Sequence, residues 1–445
     1  MMFFSDNNNA LNAVAWTVIM MGACLPPASQ AHAQNVIPVR PGASNNGQAS
    51  LGVVNGEEPH AVFTNPANLR VRGSLDSWNE ITVMGLRTTY ENDAFEPFTF
   101  SLLVPLPAAG FAVKITEYAS FGAAITPTGI GTKSTIHNVP YQLSADNYAT
   151  TDVHARITGF NAAIGGNLHF GETIAAGVSL VNSWDKKQVN TQIVAQETGE
   201  ISEAGDVDIS GFNWNTLIGL RMNTVAGTLA LTALPAKVYR SSGEITSADV
   251  DQEGEITTRP MEKRDFSPFT LGAGYAISIG SWTLSAEYLR KHFSDGSDQE
   301  TPYSPSDPVT VNLKDTEEFS AGVRIGISSD SWVRAGYAFR QGKLGHGEFS
   351  GGQDERGVFG MRFGELEGLD RQTVAGGYGY ESGAWLFDTF TSVTWGSAMV
   401  PEDKRNSGSY TMLAGAVGMS ATWSLGHEGT GNRGELTHPA SPETP

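Results

Sequence analysis

In the stretch Phe269-Thr270-Leu271-Gly272-Ala273-Gly274-Tyr275-Ala276-Ile277-Ser278-Ile279, every second residue is apolar, and the residues between are small or polar. After Gly280-Ser281 the pattern resumes with Trp282, Leu284, Ala286 and Tyr288 set against Thr283, Ser285 and Glu287. Side chains of a strand alternate between faces, so each segment has one apolar and one small or polar face. Phe319-Ile327 and Val333-Phe339 repeat the pattern, with Arg324, Arg334 and Arg340 on the polar face. From Trp78 onward it recurs about fourteen times. The segments are 78–90, 97–105, 109–118, 152–168, 172–188, 208–223, 227–245, 266–279, 281–294, 315–328, 331–345, 369–381, 384–399 and 408–425. Many exceed the roughly 9–11 residues that cross a bilayer, and most exceed the ~5–6 usual in soluble sheets.

The links alternate in length. Leu106-Pro107-Ala108, Gly171, Thr224-Val225-Ala226, Gly280, Ser329-Asp330 and Ser382-Gly383 are short, whereas 119–151, 189–207, 246–265, 295–314 and 346–368 are long. Short turns at one end and long loops at the other mark an outer-membrane barrel. The fold class is therefore all-β: a transmembrane antiparallel β-barrel of about 14 strands over 78–425, with both termini periplasmic. Arg221, Arg324, Arg334 and Arg340, with Asn213, Asn215 and Glu287, take lumen-facing parity, because a charge facing lipid at midplane costs about 2–4 kcal/mol. These arginines are either partners of lumen carboxylates or a head-group site for a ligand carboxylate, which arginine binds bidentately. Trp78, Trp282, Trp332, Trp385, Trp395 and Trp423, near strand ends, suit interfacial girdles. The acidic residues Glu197, Glu200, Glu203, Asp206, Asp208, Asp249, Asp251, Glu253 and Glu255 belong to the long links, as solvated surface or as cation-bridged contacts to lipopolysaccharide.

Composition agrees with this. Of 445 residues 40% are hydrophobic, 17% are charged and 51 are glycine, and the net charge is -19. That is too polar for a helical membrane protein and too aromatic for a disordered chain. It is also too acidic for a nucleic-acid partner. The apolar run 10–25, followed by Pro26-Pro27 and Ala31-His32-Ala33, reads as a signal peptide over 1–33, although no Lys or Arg precedes the run. The sole cysteine, Cys24, stands in a stretch faintly like a lipoprotein box. No catalytic motif is present, the histidines lack metal-ligand spacing, and no cofactor or metal is expected. The tail 426–445 is polar.

Residues 34–77 do not alternate, yet they hold Leu51-Gly52-Val53-Val54, Ala61-Val62-Phe63 and Asn65-Pro66-Ala67-Asn68-Leu69. A lumen of about fourteen strands is too wide for its own side chains to fill, so this segment is expected to be an N-terminal hatch. Here the chain resembles the outer-membrane long-chain fatty-acid and aromatic-hydrocarbon transporters, the FadL/TodX type. Asn65-Pro66-Ala67 resembles the Asn-Pro-Ala motif of that family's hatch. Tyr118-Ala119-Ser120-Phe121-Gly122 is similar to its aromatic-x-Pro-Phe-Gly segment, with Ser120 where proline is usual. Ser267-Pro268-Phe269-Thr270-Leu271-Gly272 and Trp332-Val333-Arg334-Ala335-Gly336-Tyr337 look like its strand openings.

The resemblance implies a plugged fourteen-stranded barrel for passive uptake of hydrophobic small molecules, and no enzyme. It also implies an inward kink in the third strand that opens a lateral exit. Asn65, Pro66 and Ala67 would carry the hatch role, and Phe121 and Gly122 the kink. The expected partners are a hydrophobic ligand, outer-membrane lipid and lipopolysaccharide, and the barrel assembly machinery, with the barrel a monomer. An assembly signal at Val417, Met419, Ala421 and Trp423 would be internal, because the tail follows it. A structural or adhesion barrel acting through its loops, and a lipid-modifying barrel enzyme, are the alternative readings.

Overall fold

The computed structural model describes residues 42–92, 95–129, 134–144, 147–195, 201–249, 255–292, 300–301, 309–310, 315–342, 369–400 and 408–426. The signal peptide, Cys24 and the tail beyond residue 426 lie outside them. A short helix, α1 (Ala43–Asn46), and two 3₁₀ turns (Pro59–Phe63 and Pro66–Asn68) precede the strands.

The strands are β1 (Leu75–Asn92), β2 (Phe95–Thr116), β3 (Ala119–Gly129), β4 (Ser134–Ser144), β5 (Asn147–Phe170), β6 (Ile174–Ala195), β7 (Ile201–Thr224), β8 (Gly227–Leu234), β9 (Lys237–Asp249), β10 (Glu255–Ser267), β11 (Phe269–Ile279) and β12 (Trp282–His292). A two-residue pair, β13 (Glu300–Thr301) and β14 (Val309–Thr310), stands apart from the wall. Then follow β15 (Thr316–Gly326), β16 (Ser331–Arg340), β17 (Asp370–Ser382), β18 (Trp385–Val400) and β19 (Gly408–Leu425).

Each wall strand pairs antiparallel with its neighbours, and β1 pairs with β19 from Leu75↔Leu425 to Glu91↔Ser409. This pairing closes the sheet. β3 and β4 both lie on β5, β8 and β9 both on β7, and β10 and β11 pair in turn with β9 and β8. β3 with β4, β8 with β9 and β10 with β11 each make one interrupted strand, and the wall is a closed 14-stranded transmembrane barrel.

The count agrees with the alternation, but through two compensating differences. Segments 97–105 and 109–118 are a single strand, β2, and Leu106-Pro107-Ala108 is part of it rather than a turn. The third wall strand is β3 with β4, inside the stretch taken as the long link 119–151. The short turn that separates the second strand from the third is Glu117-Tyr118. Proline punctuates a sequence, but a strand tolerates it where its missing N–H faces no ladder partner.

The long links 189–207 and 246–265 are also largely strand. β5, β6 and β7 run for 24, 22 and 24 residues. At ~3.3 Å per residue and a tilt near 40°, 24 residues stand about 60 Å tall, well beyond the ~25 Å apolar band. Glu203, Asp206 and Asp208 thus fall on β7, Asp249 on β9 and Glu255 on β10. Glu197, Glu200, Asp251 and Glu253 lie outside the described residues.

The alternation is borne out on the outer face, where Leu103, Val178, Ile218, Leu284, Val417 and Met419 are exposed. Two tryptophans depart from the girdle. Trp78 is fully buried, and its ring centroid is 5.4 Å from that of His60. Trp332 is also buried, with the Arg324 guanidinium 4.2 Å from its ring. Trp332 shares strand parity with Arg334, so any register that turns the arginine inward turns the indole inward too.

Candidate functional site

Residues 42–74 lie against the inner faces of strands all round the barrel. Ala61, Val62 and Leu69 pack with Trp78, Ala108, Ala112, Ala124 and Ala163 on β1, β2, β3 and β5. Val53 and Val54 pack with Ala230, Ala276 and Leu289 on β8, β11 and β12. Ala49 meets Ala338 and Ala375 on β16 and β17.

The segment has little regular structure, so its buried backbone groups need partners from elsewhere. Two strand glutamates supply them. Glu287, buried on β12, accepts the Gly52 N–H (3.1 Å) on Oε2 and the Val54 N–H (2.8 Å) on Oε1. Glu80, buried on β1, accepts the Gly42 N–H (2.9 Å) and the Ala43 N–H (2.7 Å) on Oε2, at the start of α1. Asn167 of β5 donates through Nδ2 to the Leu69 carbonyl (2.7 Å).

Asn65 caps the turn that Pro66 begins. Its Oδ1 accepts the Ala67 N–H (3.1 Å), and its Nδ2 donates to the Val53 carbonyl (2.8 Å). Asn68 donates to the same carbonyl (2.7 Å). Asn65, Pro66 and Ala67 are all buried, and the turn rests on the inner faces of β6 and β7. His60 lies wholly out of solvent. Burial holds its imidazole at a pKa of about 4, further depressed by Arg334 and opposed by Asp388. The ring is therefore neutral at ordinary pH. Its Nε2 accepts from Asn45 Nδ2 at 2.9 Å, which puts the proton on Nδ1, 3.4 Å from Glu58 Oε2.

The four arginines assigned to the lumen by parity do not converge. Arg221 Nη1 reaches Glu57 of the segment at 2.8 Å. Arg334 is bonded to Asp388, and both are buried. Arg340 Nε stands 3.5 Å from Glu318, which also takes Lys291 at 2.8 Å. Arg324 covers the Trp332 ring. Of the four, only Arg340 borders a cleft above α1, where Met84, Phe390, Ala414 and Ala416 form an apolar wall. The cleft volume is about 20 Å³, room for a water rather than a hydrocarbon. A ligand would have to widen it.

Removing one partner of a buried ion pair strands the other charge. Asp388→Ala is expected to destabilise the barrel by about 3–5 kcal/mol, read from urea unfolding in lipid vesicles. Asp388→Asn, which keeps an acceptor, is expected to cost less.

Phe121 and Gly122 lie low on β3, in its fully paired part, opposite Val113 and Ala112 on one side and Gly166 and Gly165 on the other. Gly122 faces Leu69. The β2–β3 ladder ends at Ala109↔Ile125. Above it, residues 95–108 of β2 pair with β1 alone, and β3 and β4 pair with β5 alone, among the described residues.

Sequence reasoning placed Glu287 in the lumen by parity but assigned it no role, and it missed Glu80 and Asn167. Glu287 shares parity with Ser285 on the polar face of its segment, whereas Glu80 shares parity with Trp78, assigned from sequence to the girdle, and Asn167 with Ala163, which carried no assignment. The partners of all three are backbone N–H and C=O groups, which leave no mark on a sequence.

No family model matches this sequence, and no curated protein does. Solved structures match in fold. A Pseudomonas aeruginosa FadL homologue is similar at a TM-score of 0.68 and 14% identity, over 86% of this chain and 98% of the other. The Pseudomonas putida toluene transporter TodX is similar at a TM-score of 0.61 and 14% identity, over 86% of this chain and 97% of the other. The Ralstonia pickettii toluene transporter TbuX is similar at a TM-score of 0.54 and 14% identity, over 86% of this chain and 98% of the other. The fold that this chain shares with them is that of the FadL-type barrels.

Proposed function

We propose that this protein is an outer-membrane transporter for passive uptake of hydrophobic small molecules, fatty acids or aromatic hydrocarbons. Residues 42–74 act as its hatch, and a lateral exit lies between the second and third wall strands. The carrying observation is the pairing of a filled lumen with a broken wall. A molecule entering from the long-strand side meets the hatch, and the break in the β2–β3 ladder offers it a way out at membrane depth. The small apolar side chains of Ala108, Ala112 and Ala124 line the inner face at and just below that break. They suit a ligand that leaves no hydrogen-bonding group to satisfy. The printed descriptions of similar structures, toluene transporters and monoaromatic hydrocarbon channels, support the same substrate class.

Leu75 pairs with Leu425 at the end that carries the short turns, which supports periplasmic termini. The ion-paired state of Arg221, Arg334 and Arg340 favours a structural role for them. Arg340, beside the cleft, is the candidate for meeting a ligand carboxylate. The test is saturable uptake of radiolabelled toluene and oleate by vesicles holding the refolded barrel, with mass spectrometry of co-purifying molecules. Uptake of either probe, with a hydrophobic molecule retained through purification, is the expected result. Neither uptake nor retained ligand would reject the proposal and favour an adhesion barrel.

A further inference from the structure

The β2–β3 ladder stops for a reason written in three prolines. Lys114 donates its N–H to Ser74, on the β1 side, at 2.9 Å. Backbone groups of successive residues point to opposite sides of a strand. The even-numbered residues of β2 therefore bond β1, and the odd-numbered ones face β3. Ala109, Phe111 and Val113 are such odd positions, and they pair with Ile125, Ala123 and Phe121. Extending this register by two residues sets Pro107 opposite Pro127. Pro105, two residues further along β2, takes the same β3-facing parity.

At a rung of this kind the two residues exchange both of their N–H···O bonds. With proline on both sides neither has a hydrogen to give, so the rung loses both bonds at once. Pro105 leaves the next β3-facing position of β2 without a donor as well. The ladder ends immediately before the Pro107–Pro127 rung. The flanking ladders continue at the same height, with Pro107 opposite Ile81 on β1 and Pro127 opposite Phe160 on β5, although the β3–β5 register shifts between Pro127 and Gly129. Each strand thus stays in the wall while the seam between them is undone. A free edge in hydrocarbon is costly chiefly for its unpaired N–H and C=O groups, and three prolines remove three of the donors. Leu103, 67% exposed on the outer face of β2, and the inward Ala108 and Ala124 make the margins of the seam apolar.

We infer that the facing prolines Pro107 and Pro127, with Pro105 above, keep the β2–β3 seam unzipped and are thus the positioning residues of the lateral exit proposed above. The inference rests on the transport reading above and identifies its positioning residues: they touch no reacting group and act by keeping two strands unzipped.

The test replaces the prolines with residues that can donate. In Pro107→Val/Pro127→Val, the new amides at 107 and 127 are expected to become protected from hydrogen exchange. Uptake of toluene and oleate is expected to fall at least tenfold, while the amount of ligand retained by the purified barrel is unchanged. Pro107→Val alone restores one donor, and it is expected to show partial protection and a smaller loss. It stands in for the double variant should that one fail to assemble. Protected amides with wild-type uptake would overturn the seam as the exit. Unprotected amides would overturn the prolines as the cause of the gap. If the wild-type barrel itself takes up neither probe, the transport reading fails separately, and with it the seam as a path, while the exchange measurement still decides whether the prolines open the seam.

Discussion

Deleting residues 42–70 is expected to raise single-channel conductance in planar bilayers by about an order of magnitude, since a lumen of this strand number is too wide for its own side chains to close. Assembly should survive, because the segment takes no part in the strand ladders. The wall closes through the β1–β19 register without it. Glu80 and Glu287 would lose their backbone partners, but the same deletion floods the lumen, and water replaces the lost donors. The loss would be felt in stability. Leu51, Val53, Val54, Val62 and Leu69 are almost wholly buried, and each contributes about 1.5–3 kcal/mol by leaving water. A lower unfolding midpoint with an intact, heat-modifiable barrel is the expected companion result. Conductance at the wild-type level would show that 42–70 does not close the pore.

Side chains added at two wall glycines should come close to the same effect. A Cβ at Gly219 would stand 2.0 Å from Asn65 Oδ1 and 3.0 Å from the Ala67 nitrogen. One at Gly177 would stand 2.5 Å from both the Ala67 nitrogen and the Pro66 carbonyl carbon. These neighbours are mostly main-chain atoms of a turn that Pro66 and the Asn65 cap make rigid, so no rotamer change relieves the overlap. Gly177→Val/Gly219→Val is expected to lift the Asn65-Pro66-Ala67 turn off β6 and β7, and to produce a leak comparable to the deletion. Placed in the deletion background, the same substitutions should change nothing further, the signature of two changes acting on one contact. Gly415→Ala is the control, since its nearest neighbour is 3.8 Å away. A non-leaking double variant would mean that the turn reseats, and that the close approach is not what positions it.

Much of the wall was legible because period two is a strong constraint. Val333, Ala335, Tyr337 and Phe339 face out and Arg334 faces in, as a lipid-facing charge would be costly. Strand ends were less legible. β5, β6 and β7 keep pairing above the bilayer, where nothing obliges their outward residues to be apolar, so the alternation fades before the strand does. The second and third wall strands were misread at Pro107 because proline marks a turn and an unpaired strand edge equally well. Only the register on both sides tells the two apart. The contacts that seat residues 42–74 were illegible for another reason. Glu287 meets Gly52 and Val54 across 235 and 233 residues of sequence, and what it binds is main chain, which every residue but proline presents alike.

That long-range seating also sets an order of events. Residues 42–74 precede every strand among the described residues, yet their partners include Glu80 on β1, Glu287 on β12, Ala338 on β16, Ala375 on β17 and Thr422 on β19, whose hydroxyl donates to Glu58. The part that is synthesised first can be completed only when the last strand has joined the first. Until then the growing barrel is a hollow sheet with an empty middle and a loose leading end. Closure of the ring and seating of the segment are therefore late and coupled, and a chain stalled before β19 would have both an unsealed wall and an unfilled bore.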